Sequence, residues 1–295
     1  MENIILYTNG CLGDELNLDR NMIFDLYYNK FISNTIIIYC HEDRTFLYET
    51  IFTNIVTHKE CDIKNINKYV FNNYKKNCIL IKISEILLFP GIPMSKYGYD
   101  NMLNINIRVT KDNILNYNKI NYYNNNYPIE FKNLVTNANF LEKLPAFNEC
   151  KFIVYHHRYK NDNAWDQTID KLNVILKLKD KYNIVIFSKH DFSNLNSEKI
   201  YYTNNLKEYA SFVNSKNNIA LISVWSGGSQ LGSYFNNTKV ITYFHKIQSQ
   251  HNYLLLNGNM NKYINSENGF DFCHFSSSNR IFINETEFEE IEKFL

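Results

Sequence analysis

The chain has 295 residues, of which 45% are hydrophobic, and its formal net charge is +1 from 31 basic and 30 acidic residues. This balance excludes the basic surface typical of nucleic-acid-binding proteins, and no run of 18 or more apolar residues predicts a transmembrane segment. The six cysteines form no Cys-x-x-Cys pair, which excludes the common zinc and thioredoxin-like motifs.

The first elements predict a strand, a glycine loop and a helix. Residues 4–8 are apolar and β-prone, Gly10 and Gly13 permit a tight turn, and apolar residues then recur at helical spacing over residues 15–31. An acidic residue follows Met1, where a signal peptide carries bases, so we expect a cytoplasmic protein.

Two further apolar runs, 35–40 and 78–83, are continuous rather than alternating, as in strands covered by helices on both faces. We predict helices at residues 43–54 and 62–76. This alternation of strands and helices indicates a parallel sheet. The pattern loosens over residues 90–145, which we interpret as the region between two domains.

A second α/β series follows, and we divide the chain into domains 1-145 and 146-295. Its predicted strands are 151–156, 183–188, 199–203, 219–224 and 239–244, and its predicted helices are 164–181, 206–214, 230–235 and a closing helix at 285–295. Ligands of parallel sheets bind beyond the carboxyl ends of the strands, so we expect the two sheets to face a central cleft.

A serine-glycine turn, Ser226-Gly227-Gly228-Ser229, lies between a predicted strand and a predicted helix and is followed by Gln230. Glycines let the backbone approach a ligand closely, and exposed amides with serine hydroxyls can bind a diphosphate. The alternative is an ordinary turn in which serine caps the helix. Both interpretations remain open.

Basic side chains follow the first strand of the second domain. Arg158 can make bidentate contacts with phosphate, and Lys160 can supply a positive point charge. His156 is an additional candidate ligand contact, whereas His156 and His157 lack a third zinc ligand at characteristic spacing. A solvated loop accounts for these residues equally well.

Two more segments end at the same predicted edge of the second sheet. Phe187, Ser188 and Lys189 close one strand and are candidates for contact with a nucleoside, or else belong to a plain connecting loop. His245 follows the strand after the serine-glycine turn and is a further candidate.

Asp14 is the candidate catalytic residue of the first domain. A carboxylate after the first strand, facing a cleft, is placed to accept a proton from a hydroxyl group. Asp is also common as a helix N-cap, and the spacing alone does not separate the two roles.

Together these segments resemble the heptosyltransferase-like GT-B glycosyltransferases. Gly13-Asp14-Glu15-Leu16 resembles the Gly-Asp-x-Leu loop of that family, and Ser226-Gly227-Gly228-Ser229-Gln230 resembles its nucleotide-sugar loop, with Gln230 in place of a histidine. The resemblance implies two Rossmann-like domains facing a central cleft. It also implies that Asp14 is the general base, that Arg158 or Lys160 and the turn hold the donor diphosphate, and that residues 187–189 lie near the nucleoside.

The expected reaction is transfer of a sugar from a nucleotide diphosphate sugar to a glycan or other hydroxyl acceptor. No Asp-x-Asp motif is present, which favours a reaction without metal, and we expect no cofactor besides the nucleotide sugar as co-substrate. A nucleotide-sugar epimerase of similar architecture and a non-catalytic nucleotide- or glycan-binding module are the alternatives. The sequence does not predict the oligomeric state.

Overall fold

A computed structural model of the protein describes residues 3–8, 12, 15–16, 20–28, 32–59, 72–73, 78–82, 144–158, 169–224, 226–235, 238–243, 280–283 and 285–295. The chain divides into two compact units, Met1–Asn133 and Leu134–Leu295. Our division after residue 145 stays a prediction, because most of the region 90–145 lies outside the described residues. No helix in the described ranges is long and apolar enough to cross a membrane.

The first unit contains a four-stranded parallel sheet in the order β3-β2-β1-β4. Its strands are β1 (Asn3–Tyr7), β2 (Ile37–His41), β3 (Asn54–His58) and β4 (Cys78–Lys82), and helix α1 spans Arg20–Tyr28. Ile5, Leu6 and Ile38 are fully buried, as expected for continuous apolar strands that are covered on both faces.

The predicted helix at 43–54 is wrong. A short 3₁₀ segment, Glu42–Leu47, follows β2, and the chain then enters β3, which the sequence analysis missed. Phe46 and Leu47 are buried at the end of this segment, where the helical backbone stops, and the chain then extends so that β3 can pair with β2. Nearly all of the predicted helix at 62–76 lies outside the described residues.

The second unit contains a six-stranded parallel sheet in the order β10-β9-β8-β5-β6-β7. Four helices and six strands of this unit are described: α2 (Pro145–Glu149), β5 (Phe152–His156), α3 (Ile169–Leu176), β6 (Asn183–Phe187), β7 (Ile200–Thr203), α4 (Leu206–Val213), β8 (Asn218–Val224), α5 (Gly227–Leu231), β9 (Val240–Tyr243) and β10 (Arg280–Ile283). This is the strand order of a doubly wound Rossmann-like sheet, which confirms the predicted α/β class.

The closing segment of the second unit differs from its predicted form. Residues Glu285–Phe294 form a 3₁₀ segment that is interrupted at Glu290, rather than one α-helix. Phe288 and Ile291 are buried, and their spacing of three residues matches the 3₁₀ period, so both side chains reach the core.

Candidate functional site

The site lies where β5 and β8 pair in the second sheet. β5 also pairs with β6 and β8 also pairs with β9, so the connections leave this point in opposite directions. Such a topological switch point opens a crevice at the carboxyl ends of the strands, where ligands of doubly wound sheets bind. His156 ends β5 and Ser226 follows β8, so both lie at this carboxyl edge.

The serine-glycine turn is stabilised by its own serines. The amide N–H of Ser226 donates to Oγ of Ser229 at 3.1 Å, and Oγ of Ser229 donates to the carbonyl oxygen of Ser226 at 2.7 Å. Ser229 is fully buried, so its hydroxyl serves the turn. Ser226 is the N-cap of α5, which is the structural role that the sequence equally allows.

Gly228 is held between two rings. A Cβ atom at this position would lie 2.1 Å from Nδ1 and 2.3 Å from Cε1 of His156. From α4, the hydroxyl of Tyr209 donates a hydrogen bond of 2.7 Å to the carbonyl oxygen of Gly228. Only glycine leaves room for the imidazole, so the turn and the end of β5 fit each other through this residue.

The imidazole of His156 is half-buried in polar and aromatic contacts. Its Nδ1 lies 3.0 Å from Oγ of Ser223 and 3.4 Å from Oγ of Ser226. The rings of Phe187 and Tyr209 lie 5.2 Å and 5.7 Å from the imidazole, centroid to centroid. These contacts come from β6, β8, α4 and the serine-glycine turn, and they fix the orientation of the ring.

His156 is neutral at physiological pH. Burial, together with the positive charges of Arg158 and Lys189, lowers the pKa of its imidazole to about 3. Arg158 is half-buried and Lys189 is exposed. The structure therefore brings one neutral imidazole and two cationic side chains to the same carboxyl edge.

The predicted nucleoside segment at the end of β6 is largely packed inside. The ring of Phe187 is stacked on Tyr209 with a centroid distance of 4.2 Å and is only 7% exposed. The Ser188 hydroxyl accepts a hydrogen bond from the amide of His190 at 3.1 Å, and Ser188 is also buried. Lys189 is the exposed side chain of this segment.

Three predicted site residues, Asp14, Lys160 and His245, lie outside the described residues. Gln230 is described and is only 5% exposed, and its Oε1 has no hydrogen-bond partner among the described residues. In the described part of the chain, no group of three or more His, Cys, Asp or Glu side chains is placed to hold a metal ion.

A buried carboxylate in the first unit was missed by the sequence analysis. Glu15 is fully buried and accepts hydrogen bonds from the hydroxyls of Thr8 at 2.9 Å and Tyr48 at 2.8 Å. Arg44 donates a third hydrogen bond, at 2.5 Å, and balances the charge. Because Glu15 follows Asp14 directly, this network anchors the chain one residue after the candidate base.

His157 points into the second core instead of the site. It is 1% exposed, its Nδ1 lies 3.2 Å from the hydroxyl of Tyr155, and its ring meets Phe192 edge-on at 5.1 Å. Burial, together with the nearby His190, lowers the pKa of His157 to about 4. The imidazole is therefore neutral in the folded protein at neutral pH.

We expect His157 to make the protein less stable in mild acid. Between pH 6.5 and about 4 the unfolded chain binds a proton at His157 and the folded chain does not, so the free energy of unfolding falls as pH decreases, by about 1.4 kcal/mol per pH unit. Above pH 6.5 this contribution is constant. Urea unfolding between pH 7.5 and 4.5 should show a smaller slope for His157→Gln than for wild type, and equal slopes would contradict the assignment.

A cavity of about 280 Å³ lies beside α3 in the second unit. Its lining residues come from α3 and from the segment after β6: Leu172, Asn173, Leu176, His190, Asp191, Phe192, Asn194 and Leu195. None of the predicted donor-binding residues that the structure describes lines it. The cavity is thus separate from the serine-glycine turn.

Solved structures with a similar fold cover nearly the whole chain. A family 9 glycosyl transferase from Veillonella parvula is 13% identical, with a TM-score of 0.58 over 99% of this chain and 91% of that chain. ADP-heptose LPS heptosyltransferase II from E. coli is 12% identical, with a TM-score of 0.57 over 95% and 90% of the two chains. E. coli heptosyltransferase WaaC with ADP is 11% identical, with a TM-score of 0.53 over 99% and 98%.

Comparisons of the sequence with models of protein families and with curated proteins find no match. The structural similarity therefore speaks for the fold. This chain has the mixed α/β fold with parallel sheets of the GT-B glycosyltransferases, as the resemblance of its motifs predicts.

Proposed function

We propose that the protein is a glycosyltransferase that moves a sugar from a nucleotide diphosphate sugar to a hydroxyl acceptor. The observation that carries this proposal is the carboxyl edge of the second sheet, where Gly228 of the serine-glycine turn lies against His156 and Arg158 is close by. A switch-point crevice with a glycine turn and cationic side chains suits a diphosphate. The shared fold with E. coli heptosyltransferase WaaC with ADP supports this choice.

The cationic side chains would stabilise the departing nucleoside diphosphate. Arg158 can bind two phosphate oxygens at once, and Lys160 and Lys189 would add positive charge. Preorganised charge at the leaving group lowers the barrier most where water is excluded, and Arg158 is half-buried. In this proposal these side chains neutralise the leaving group without a metal ion.

The acceptor hydroxyl would be deprotonated by Asp14. General base catalysis needs a carboxylate within hydrogen-bond reach of the attacking hydroxyl. Asp14 is proposed for this role because it matches the acidic position of the Gly-Asp-x-Leu loop. The buried network at Glu15 supports the proposal, since it gives the chain next to Asp14 a fixed position.

A panel of ADP-, UDP-, GDP- and dTDP-sugars tests this proposal. Wild type should release nucleoside diphosphate from at least one donor, faster with an acceptor glycan than without, and EDTA should leave the rate unchanged. Conversion of the donor into an isomer without any acceptor would indicate an epimerase instead. A thermal shift with nucleotide and no turnover would indicate a binding module.

A further inference from the structure

The contacts of His156 determine which ring nitrogen carries its proton. Oγ of Ser223 lies 2.9 Å from the carbonyl oxygen of Val224 and 3.0 Å from Nδ1 of His156. A carbonyl oxygen only accepts hydrogen bonds, so the single hydroxyl proton of Ser223 is directed to Val224. Both contacts are satisfied when Nδ1 carries the imidazole proton and donates a hydrogen bond to Oγ of Ser223, and the more distant Oγ of Ser226, at 3.4 Å, can accept from the same N–H.

The other nitrogen, Nε2, is then a hydrogen-bond acceptor. In a neutral imidazole one nitrogen donates and the other accepts. In the part of the chain that the structure describes, Nε2 of His156 has no hydrogen-bond partner. This nitrogen is also not fully buried. It is therefore open to a ligand, while the Nδ1–Cε1 edge of the ring is covered by Gly228.

Because Nε2 is a hydrogen-bond acceptor, it does not suit a phosphate oxygen, which is also an acceptor and carries negative charge. A hydroxyl group is the complementary partner, because it donates its proton to Nε2. The buried, aromatic surroundings of His156 oppose protonation of the ring, so Nε2 keeps its lone pair at neutral pH.

We propose that His156 is a specificity-determining residue that accepts, through Nε2, a hydrogen bond from a hydroxyl group of the bound nucleotide sugar. This inference rests on the proposed function, since it assumes a nucleotide ligand at this carboxyl edge. The hydroxyl belongs either to the ribose or to the transferred sugar. Arg158 recognises the anionic part of the ligand, and His156 recognises its hydroxyl part.

Binding of hydroxyl-deleted ligands tests the role of His156. The probes are the nucleoside diphosphate that binds wild type best with its 2′-deoxy and 3′-deoxy forms, and the corresponding nucleotide sugar with a 2-deoxy sugar. One of these deletions should weaken binding to wild type about five- to tenfold, the value of one neutral hydrogen bond. The same deletion should have no effect on binding to His156→Phe. The deletion that loses its effect in this variant shows whether the hydroxyl belongs to the ribose or to the transferred sugar.

The control is His190→Phe, a change at an exposed histidine of the same unit, which should discriminate the ligands as wild type does. If nucleoside diphosphates bind wild type, but each hydroxyl deletion weakens binding to His156→Phe as much as it weakens binding to wild type, the inference about His156 is wrong and the proposed function stands. If no nucleotide binds wild type, both are overturned.

Ring ¹⁵N shifts of His156 give a second test that needs no ligand. The structure predicts a protonated Nδ1 and an unprotonated Nε2 in wild type. Ser223→Ala removes the hydroxyl that accepts the hydrogen bond from Nδ1–H. The fraction of the tautomer protonated at Nδ1 should therefore fall, although the imidazole itself is retained. A protonated Nε2 in wild type would overturn the inference.

Discussion

Replacing Asp14 with asparagine is expected to lower kcat for sugar transfer by about 10²- to 10⁴-fold, the usual contribution of a general base. An amide does not accept the proton of the acceptor hydroxyl at neutral pH. Binding of the donor should change by less than about twofold, because the diphosphate is assigned to the second unit. Initial rates with saturating donor and acceptor, together with the donor Kd, measure both quantities.

The asparagine variant also separates the two roles that the sequence leaves open for Asp14. Asparagine caps a helix about as well as aspartate, so a purely structural Asp14 would tolerate the change with no loss of turnover or stability. Unchanged turnover would therefore assign Asp14 to capping. Glu42→Gln is the matched control, because Glu42 is an exposed acid of the same unit and its loss should leave the rate as in wild type.

Five of the six described strands of the second sheet, β5 to β9, were predicted because each is a short, largely apolar run, whereas β10 (Arg280–Ile283) was not predicted. All its described strands from β5 to β9 begin within one residue of the predicted start. In the first unit, β3 was missed because Asn54, Thr57 and His58 interrupt its apolar character. Its pairing with β2, rather than its hydrophobicity, makes this segment a strand.

The candidate site could be located from the sequence, but its internal contacts could not. The carboxyl ends of β5 and β8 follow from the strand pattern, which is why His156 and Ser226 were both named. The partners of His156, Tyr209 and Ser223, lie on elements that are far from it in sequence, and they carry no motif. The position of Phe187 at the end of β6 suggested a contact with the ligand. In the structure its ring is stacked on Tyr209, a packing contact that the sequence does not reveal.

Replacing Gly228 with alanine is expected to weaken donor binding and to destabilise the second unit. The new Cβ would lie 2.1 Å from Nδ1 of His156, so the imidazole or the turn must move. Either movement breaks a contact, because the ring is held by Ser223 and the turn by Tyr209. We expect a loss of about 1 to 3 kcal/mol in the free energy of unfolding, as for overpacked cores, and donor binding about tenfold weaker or worse.

A double variant distinguishes this clash from a general loss of backbone freedom. His156→Ala removes the ring that the new Cβ would meet, so adding it to Gly228→Ala should recover part of the stability, and the two effects should be strongly non-additive. Gly232→Ala is the matched control, since its Cβ would meet Leu221 and Val240 at 2.7 Å and His156→Ala should not relieve it. Urea unfolding of the three single variants and of the two double variants with His156→Ala measures this coupling. Additive effects of the His156 and Gly228 changes would show that the two residues do not constrain each other.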